Sequence, residues 1–425
     1  MPIRSSLAGH PSVPTYRLAL PGLVIESVSD PDHPGQPRLH TWDGKTASTT
    51  TTVYYRDRSY APAQSTGLAR AVRMPPPSKS FGSTTKLISS MQDFLCRYTG
   101  LASEAAILLT AFSVATWFVD GCPVAPILYL LGPENEAALV LTALGCLCSR
   151  PVLLADVDVA ALATLPSHMD ATLLISQRNL SERVARILQA SSNRNFLVAR
   201  GNGQINVFGA KAFSADPAFA NGIGLSLSLS PARDLLPTLT DASAKNIAAD
   251  FQARLLRYRM VNLRRVRAAR PDLRDFVPAL RDEARAWLAP ICDLPDLWNS
   301  VFGTLLQRSR EIEGDRLSDD PCLVAEGALF FCHKADADHF FVRDLTEIVN
   351  AALKGRHEGR TLTDKKVGLL LRALGIRAHR VVRGYRISLT DEVRQQIHRI
   401  AGTYRVLSVQ DGVARCRHCA GEKTD

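Results

Sequence analysis

Pro126 to Gly145 reads PILYLLGPENEAALVLTALG. Ile127 to Leu131 is a short apolar run that stops at Gly132, the pattern of a buried parallel strand entering a glycine turn. Pro133 to Glu136 reads as a polar turn. From Ala137 the apolar positions Leu139, Val140, Ala143 and Leu144 recur at helical spacing. Strand, glycine turn and helix together form the setting in which a phosphate-binding loop sits.

The residues that would grip a phosphate are absent. A P-loop needs glycine, four spacers, then Gly-Lys-Ser/Thr; counted from Gly132, those last places hold Ala137, Ala138 and Leu139. The lysine supplies a point charge and the hydroxyl a magnesium ligand, and alanine and leucine supply neither. Glu134 and Glu136 oppose an anion as well. A carboxylate ~6 Å from a phosphate charge repels it by about 2–3 kcal/mol at an effective dielectric near 20. A second slot fails in the same way. Ala171 to Ile175, ATLLI, reads as another buried strand, but it ends in Ser176-Gln177. A serine binds magnesium weakly, and a glutamine cannot act as a base.

This order of segments resembles the helicase-like P-loop ATPases of prophages and mobile elements. Their core has a helical lead-in, a strand carrying the Walker A loop, and a later strand of the type TLLIDE. Here the lead-in corresponds to Lys86–Asp120, the loop to Gly132–Leu139 and the later strand to Thr172–Gln177, and the likeness covers roughly Gly82 to Leu229. The resemblance implies a P-loop NTPase-like fold, a mostly parallel α/β sheet flanked by helices. In those ATPases an arginine commonly precedes the strand matched by Leu225–Ser230. The stretch Phe219–Gly224 has none. Three separate losses from one machine point to a pseudo-ATPase with no cofactor and no catalytic residue. An unrelated α/β domain, in which Gly132 merely ends a core strand, is the other reading of the same residues.

The chain has 425 residues, 46% hydrophobic and 22% charged, with a formal net charge of +10. That allows two or three domains. The basic balance favours a polyanionic partner, and much of the excess is arginine in the C-terminal half. The N-terminus lacks the apolar core of a signal peptide. The longest apolar stretch, Ala105–Val119, is too short to span a bilayer and reads as a buried helix. Nine scattered cysteines fit a reduced, cytoplasmic protein.

Residues 1–81 read as a β-rich arm of low order. It contains an Asp43-Gly44 turn, a β-branched run through Tyr55 and a proline-rich linker, Met74–Ser80. Residues 82–240 form the degenerate core. Residues 241–335 read as an α-helical lid or bundle. Its first helix carries Arg254, Arg257, Arg259, Arg264, Arg265, Arg267 and Arg270, either a solvated face or a phosphate-tracking stripe.

Residues 336–405 carry the clearest binding signal. Phe340–Leu353 and Asp364–Leu374 read as helices, Thr363 and Thr390 as caps, Ile376–Ile387 as a hairpin with a basic tip, and Asp391–Ala401 as a closing helix. That order resembles a winged helix-turn-helix domain. The resemblance makes Asp364–Leu374 the recognition helix. The candidate DNA-binding residues are then Lys365, Lys366, Arg372, Arg377, Arg380, Arg383 and Arg386, with protein contact as the alternative use. The tail, 406–425, holds Cys416-Arg417-His418-Cys419, half of a zinc site by ligand count, and no metal is expected there.

The sequence therefore leads to three function classes. The first is a non-catalytic ATPase-like protein with a DNA-binding winged helix, accessory or scaffold in mobile-element DNA replication or regulation. The second is an atypical ATPase that borrows a lysine such as Lys211. The third is an adaptor that forms homo- or hetero-oligomers with ATPase-like subunits. DNA is the expected partner, and no membrane contact is expected.

Overall fold

The apolar runs at Ile127, Pro151 and Thr172 are strands of one sheet in the computed structural model, which describes residues 12–404 and 406 except 31, 34, 66, 167, 201–202, 206, 216–223, 231–235, 335–336 and 357. The stretch before Leu225 and the C-terminal Cys-x-x-Cys lie outside the described residues, apart from Gly224. The chain divides into two compact units, 1–308 and 309–425. No break between units falls at 81/82 or 240/241, where the sequence set arm, core and helical region apart.

The first unit begins with two small sheets. β1 (Val13–Thr15), β6 (Val53–Tyr55) and β7 (Arg58–Pro62) form one, and β2 (Arg17–Leu20), β3 (Leu23–Val28), β4 (Arg38–Trp42) and β5 (Ala47–Thr50) form an antiparallel second. The Asp43-Gly44 turn joins β4 to β5, with Asp43 Oδ1 accepting from the backbone N–H of Lys45 (2.8 Å) and Thr46 (2.7 Å). Two helices follow, α1 (Thr84–Thr99), capped by Ser83, and α2 (Ser103–Thr116). In α2, Leu109, Phe112 and Val114 are fully buried, so this apolar stretch is core. No single helix among the described residues is long and apolar enough to cross a membrane.

The central sheet contains β8 (Ile127–Leu131), β9 (Pro151–Leu154), β10 (Thr172–Ile175), β13 (Lys211–Ala215) and β14 (Leu225–Ser228). Their order across the sheet is β14-β8-β13-β10-β9, with every pair parallel. Parallel neighbours need crossovers. α3 (Glu134–Leu147) and α4 (Val159–Leu162) provide the first two. α5 (Glu182–Ala190) and a hairpin of β11 (Val198–Arg200) and β12 (Gly203–Ile205) provide the third. β13 is an inner strand without a continuous apolar run. All five residues of KAFSA are buried, yet the leading lysine and the serine hide the apolar run that marks an inner strand.

Three helices complete the unit: α6 (Asp241–Ala268), α7 (Pro278–Leu288) and α8 (Pro295–Ser318), which runs across the boundary into the second unit. The arginine run on α6 is mostly engaged within the fold. Arg254 pairs with Asp250, Arg257 lies 3.6 Å from the centre of the Trp42 ring, and Arg265 pairs with Asp293. Arg264 and Arg270 stay exposed. A continuous phosphate-tracking stripe is therefore not presented.

Arg259 is fully buried, at the centre of a cluster of charges drawn from distant parts of the chain. Its Nε donates to Glu26 Oε1 at 2.5 Å, and its two terminal nitrogens bond Asp120 at 2.6 and 2.9 Å. Arg17 and Arg150 also bond Glu26, at 3.0 and 2.6 Å. Asp170 lies 3.9 Å from Arg17 and 3.7 Å from Arg194. Arg17 and Glu26 belong to the N-terminal sheet, Arg150 precedes β9 and Arg259 lies on α6. The N-terminal strands are thus clamped onto the α/β core by ion pairs that water does not reach. The proline-rich segment is held as well. Pro75 O accepts from Ser29 N at 2.9 Å, and Lys79 N donates to Ala253 O at 3.1 Å.

The second unit contains α9 (Asp320–His333), β15 (His339–Phe341), α10 (Val342–Gly355), α11 (Asp364–Ala373), β16 (His379–Val381), β17 (Gly384–Ser388) and α12 (Asp391–Thr403). The strands form an antiparallel sheet of order β15-β17-β16. Leu329, Leu345, Val349, Val367, Leu371 and Ile387 meet in one core. The first expected helix starts two residues later than read, because His339–Phe341 pairs with β17 as a strand, and α9 is added in front.

Candidate functional site

The Gly132 turn is the first site the sequence singles out. α3 begins at Glu134, so only Gly132 and Pro133 separate strand from helix. The stretch read as a polar turn forms the helix's first turn instead, and Ala137, Ala138 and Leu139 lie within α3. Ala137 is fully buried and Leu139 is exposed. A phosphate cradle needs several loop N–H groups converging on one point, and a two-residue link has no such loop. Glu134 and Glu136 occupy the first turn, where their charge suits the helix dipole and disfavours an outside anion.

Gly132 is closed against the neighbouring strand. Leu229 N donates to Leu131 O at 2.6 Å, and a Cβ on Gly132 would lie 2.7 Å from Leu229 O. Its φ is +151°, which an L side chain rarely adopts. Gly132→Ala is expected to lower stability by about 1–3 kcal/mol through this strain and clash. Urea unfolding measures it, and an unchanged midpoint would contradict a closed turn.

Ser176 and Gln177 hold the adjacent connection. Ser176 N donates to Leu154 O at 2.8 Å, and Gln177 Oε1 accepts from Val157 N at 3.1 Å. They lie two strand spacings from Gly132, about 9–10 Å, with β13 between. Lys211 cannot stand in for the missing P-loop lysine. It pairs with Ile127 at the opposite end of β8, ~13 Å along the strand from the turn. Its Nζ donates to Gly209 O at 2.8 Å and Ser191 O at 3.2 Å, and burial lowers its pKa to about 7.

The second site is a groove of about 1020 Å³ between α11 and the β16–β17 hairpin. Thr363 Oγ1 accepts from Lys366 N at 3.3 Å and starts α11. Val367 and Leu371 turn into the core, which leaves Lys365, Lys366, Leu369 and Arg372 outward. Gly375, at φ +80°, ends the helix, and the buried Ile376 behind it sends Arg377 into the groove wall. The hairpin register pairs Val381 with Gly384, so Val382 and Arg383 form the turn.

Lys365, Arg372, Arg377 and Arg383, four of the seven predicted bases, line the groove. Lys366 is next to them on α11. Arg380 and Arg386 pair with Tyr385 and His379 respectively, which puts the two arginines on opposite faces of the hairpin. All seven are exposed. Among the described residues, the ion pairs formed by this unit's arginines, Arg343–Glu347, Arg356–Glu326 and Arg360 with Asp320 and Glu358, involve none of the seven. From Asp364 to Arg386 the chain carries seven lysines and arginines against one carboxylate, Asp364. Such a surface attracts polyanions and has little internal neutralisation. Sequence reading missed Arg343 and Tyr385, which also line the groove. Arg343 looked like an ordinary helix-face residue, because only the fold brings the start of α10 beside α11.

No protein-family model and no curated protein matches the chain. Among solved structures it is similar to the apo C-terminal region of NrS-1, at 10% identity and a TM-score of 0.38, over 87% of this chain and 96% of that one. It is similar also to a full-length MCM homolog from Methanopyrus kandleri, at 10% identity and a TM-score of 0.36, over 68% of this chain and 78% of that one. Both scores lie below the level at which a shared fold follows.

Proposed function

We propose that the chain is a DNA-binding protein without nucleotide hydrolysis. Its C-terminal unit is a winged helix, with α11 as recognition helix and the β16–β17 hairpin as wing. Its α/β unit is a P-loop NTPase-like scaffold, and the whole serves as an accessory factor in mobile-element DNA replication or regulation. The observation that carries the DNA reading is the groove, where Lys365, Arg372, Arg377 and Arg383 converge with a single opposing carboxylate, Asp364. An α-helix is about 10–12 Å across with its side chains, which fits the ~12 Å width of a DNA major groove, and the ten residues of α11 give it a length of ~15 Å. The loss of hydrolysis is supported by the two-residue turn at Gly132, by the first-turn glutamates and by the placement of Lys211 at the far end of the sheet.

The test is electrophoretic mobility shift of duplex DNA by the full chain at rising salt. Retention at low ionic strength that fades steeply with salt is expected, since phosphate neutralisation releases counterions. No retention at the lowest salt overturns the reading. A ligand at a hundred times its Kd adds about 2.7 kcal/mol of stability. With Mg-ATP no such thermal shift is expected. The exposed Leu369, Tyr385 and Val382 favour a second reading, docking of a partner protein in the same groove. Such binding would depend weakly on salt, because apolar burial is not screened.

A further inference from the structure

We propose, resting on the DNA reading above, that the groove of the second unit takes an unpaired nucleotide, whose base stacks on Tyr385 while the neighbouring phosphates lie on Arg372, Arg377 and Arg383. The preferred substrate is then DNA with a single-stranded end rather than continuous duplex. The rim of the groove is charged, but its inner surface is not. Val342 and Ile376 lie buried along it, and two large apolar side chains line it uncovered, Leu369 on α11 at 56% exposure and Tyr385 on the hairpin at 55%.

The local sequence builds this opening. Tyr385 and Ile387 are two residues apart on β17, so their side chains share a face of the sheet. Ile387 is fully buried in the core with Val367 and Leu371 of α11. Tyr385 is one step nearer the hairpin tip, past the edge of that core, and its ring overhangs the groove. A Cβ on the adjacent Gly384 would meet nothing within 4 Å. Across the groove, Gly368 interrupts α11. It has no positive φ, and the nearest atom to a Cβ there would be Val342 Cγ1 at 4.0 Å. Glycine inside a helix is unfavourable, and neither backbone nor close packing requires this one. What it provides is room. The volume of about 1020 Å³ is that of a site enclosing a drug-sized molecule, and a nucleotide is of that class.

Continuous duplex leaves these groups unused. Its phosphates reach the basic rim, but each base inside it is stacked between neighbours and offers no open π-face. An unpaired base does offer one, and stacking on an aromatic side chain is worth ~5–150-fold in affinity per base. Every base has such a face, so the preference is for an unpaired strand and not for a sequence. The charges fit the same occupant. Lys365, Arg372, Arg377 and Arg383 surround the apolar surface with one carboxylate, Asp364, among them. A strand that alternates phosphates and bases meets both features at once, whereas a purely apolar protein segment would leave the cations unpaired.

The experiment measures binding of the full chain to three fluorescently labelled DNAs by anisotropy: a blunt duplex, the same duplex with a short single-stranded overhang, and the overhang made of abasic sugar-phosphate. The overhang is expected to raise affinity over the blunt duplex by at least ~fivefold, the lower end of the stacking range. The abasic overhang keeps the added phosphates without the bases, so it should lose that advantage. Tyr385→Ala should bring the ratio of overhang to blunt affinity down to that of the abasic DNA, and Tyr385→Phe should keep the parent's ratio. Tyr385 is exposed, so neither change should disturb folding, which far-ultraviolet circular dichroism checks. Equal affinity for blunt and overhanging duplexes overturns the inference while the DNA reading stands. So does an advantage that survives in the abasic DNA or in Tyr385→Ala, the latter being the result expected if the apolar groups serve a protein partner. No binding of any of the three DNAs overturns both readings.

Discussion

Arg259→Met is expected to destabilise the first unit by about 3–5 kcal/mol, the usual consequence of removing one member of a buried, hydrogen-bonded ion cluster. Arg259 joins two carboxylates that no other group joins so closely. Without it Asp120 keeps Arg267, on the surface side at 3.0 Å, and Arg17 at 4.0 Å. Glu26 keeps Arg17 and Arg150. Arg259 is the fully covered cation that bridges Glu26 and Asp120, so the variant leaves these two carboxylates with one buried positive charge fewer. Trp117 O also loses its donor. Glu26→Gln combined with Arg259→Met should cost less than the two single effects added together, since each removes the charge that makes the other costly. Urea midpoints of the four proteins decide it, and strict additivity would contradict a coupled cluster.

The same cluster sets the response to acid. Burial alone would raise the pKa of Glu26, but Arg17, Arg259 and Arg150 outweigh it and the net direction is down from 4.5. Asp120 is likewise held well below 3.8, by Arg259 above all, against burial. A carboxylate with a lowered folded pKa contributes stability above its unfolded value. That contribution is lost as pH falls through the folded one. Acid unfolding should therefore start below 4.5 and 3.8, and Arg259→Met should move it to higher pH. Glu283 opposes this trend. Burial raises its pKa to about 7, so it withdraws stability as pH climbs from 4.5 towards neutrality.

Two core strands were legible because each is a short apolar run with a breaker at its end: Ile127–Leu131 and Thr172–Ile175 both appear near the expected bounds. The caps at Thr363 and Thr390 were legible for the same local reason. β13 was not. A strand that opens with a buried lysine breaks the apolar pattern, and that lysine is made tolerable by the carbonyls of Gly209, two residues before it, and of Ser191, brought from the end of α5. The buried charge cluster was invisible in principle. Glu26, Asp120, Arg150 and Arg259 are ordinary surface types, and nothing local distinguishes Arg259 from its exposed neighbour Arg264. At the groove, charge and turn residues pointed to seven bases, and the fold lines one cavity with four of them, Lys365, Arg372, Arg377 and Arg383. Which four share one cavity depended on Gly375 and Ile376 directing the chain after α11.

Arg372→Gln/Arg377→Gln/Arg383→Gln is expected to weaken duplex binding by ~10²–10³-fold at 0.1 M salt. Each phosphate contact contributes about 0.9 to the slope of log affinity against log salt, so each is worth roughly eightfold at that concentration. Three lost contacts multiply to several hundredfold and make the slope shallower by about 2.7. Folding should be spared, because all three side chains are exposed and surface changes of this type stay within about 0.5 kcal/mol. Arg399→Gln is the matched control, an exposed arginine on α12 that does not line the groove. It should leave the slope unchanged. Fluorescence anisotropy of a labelled duplex, titrated at four salt concentrations, reads both quantities. If the triple variant and the control lose affinity equally, the basic surface binds DNA without using the groove. If the triple variant loses affinity with no change of slope, the contacts are not to phosphate, and Tyr385 and Leu369 become the groups to replace next.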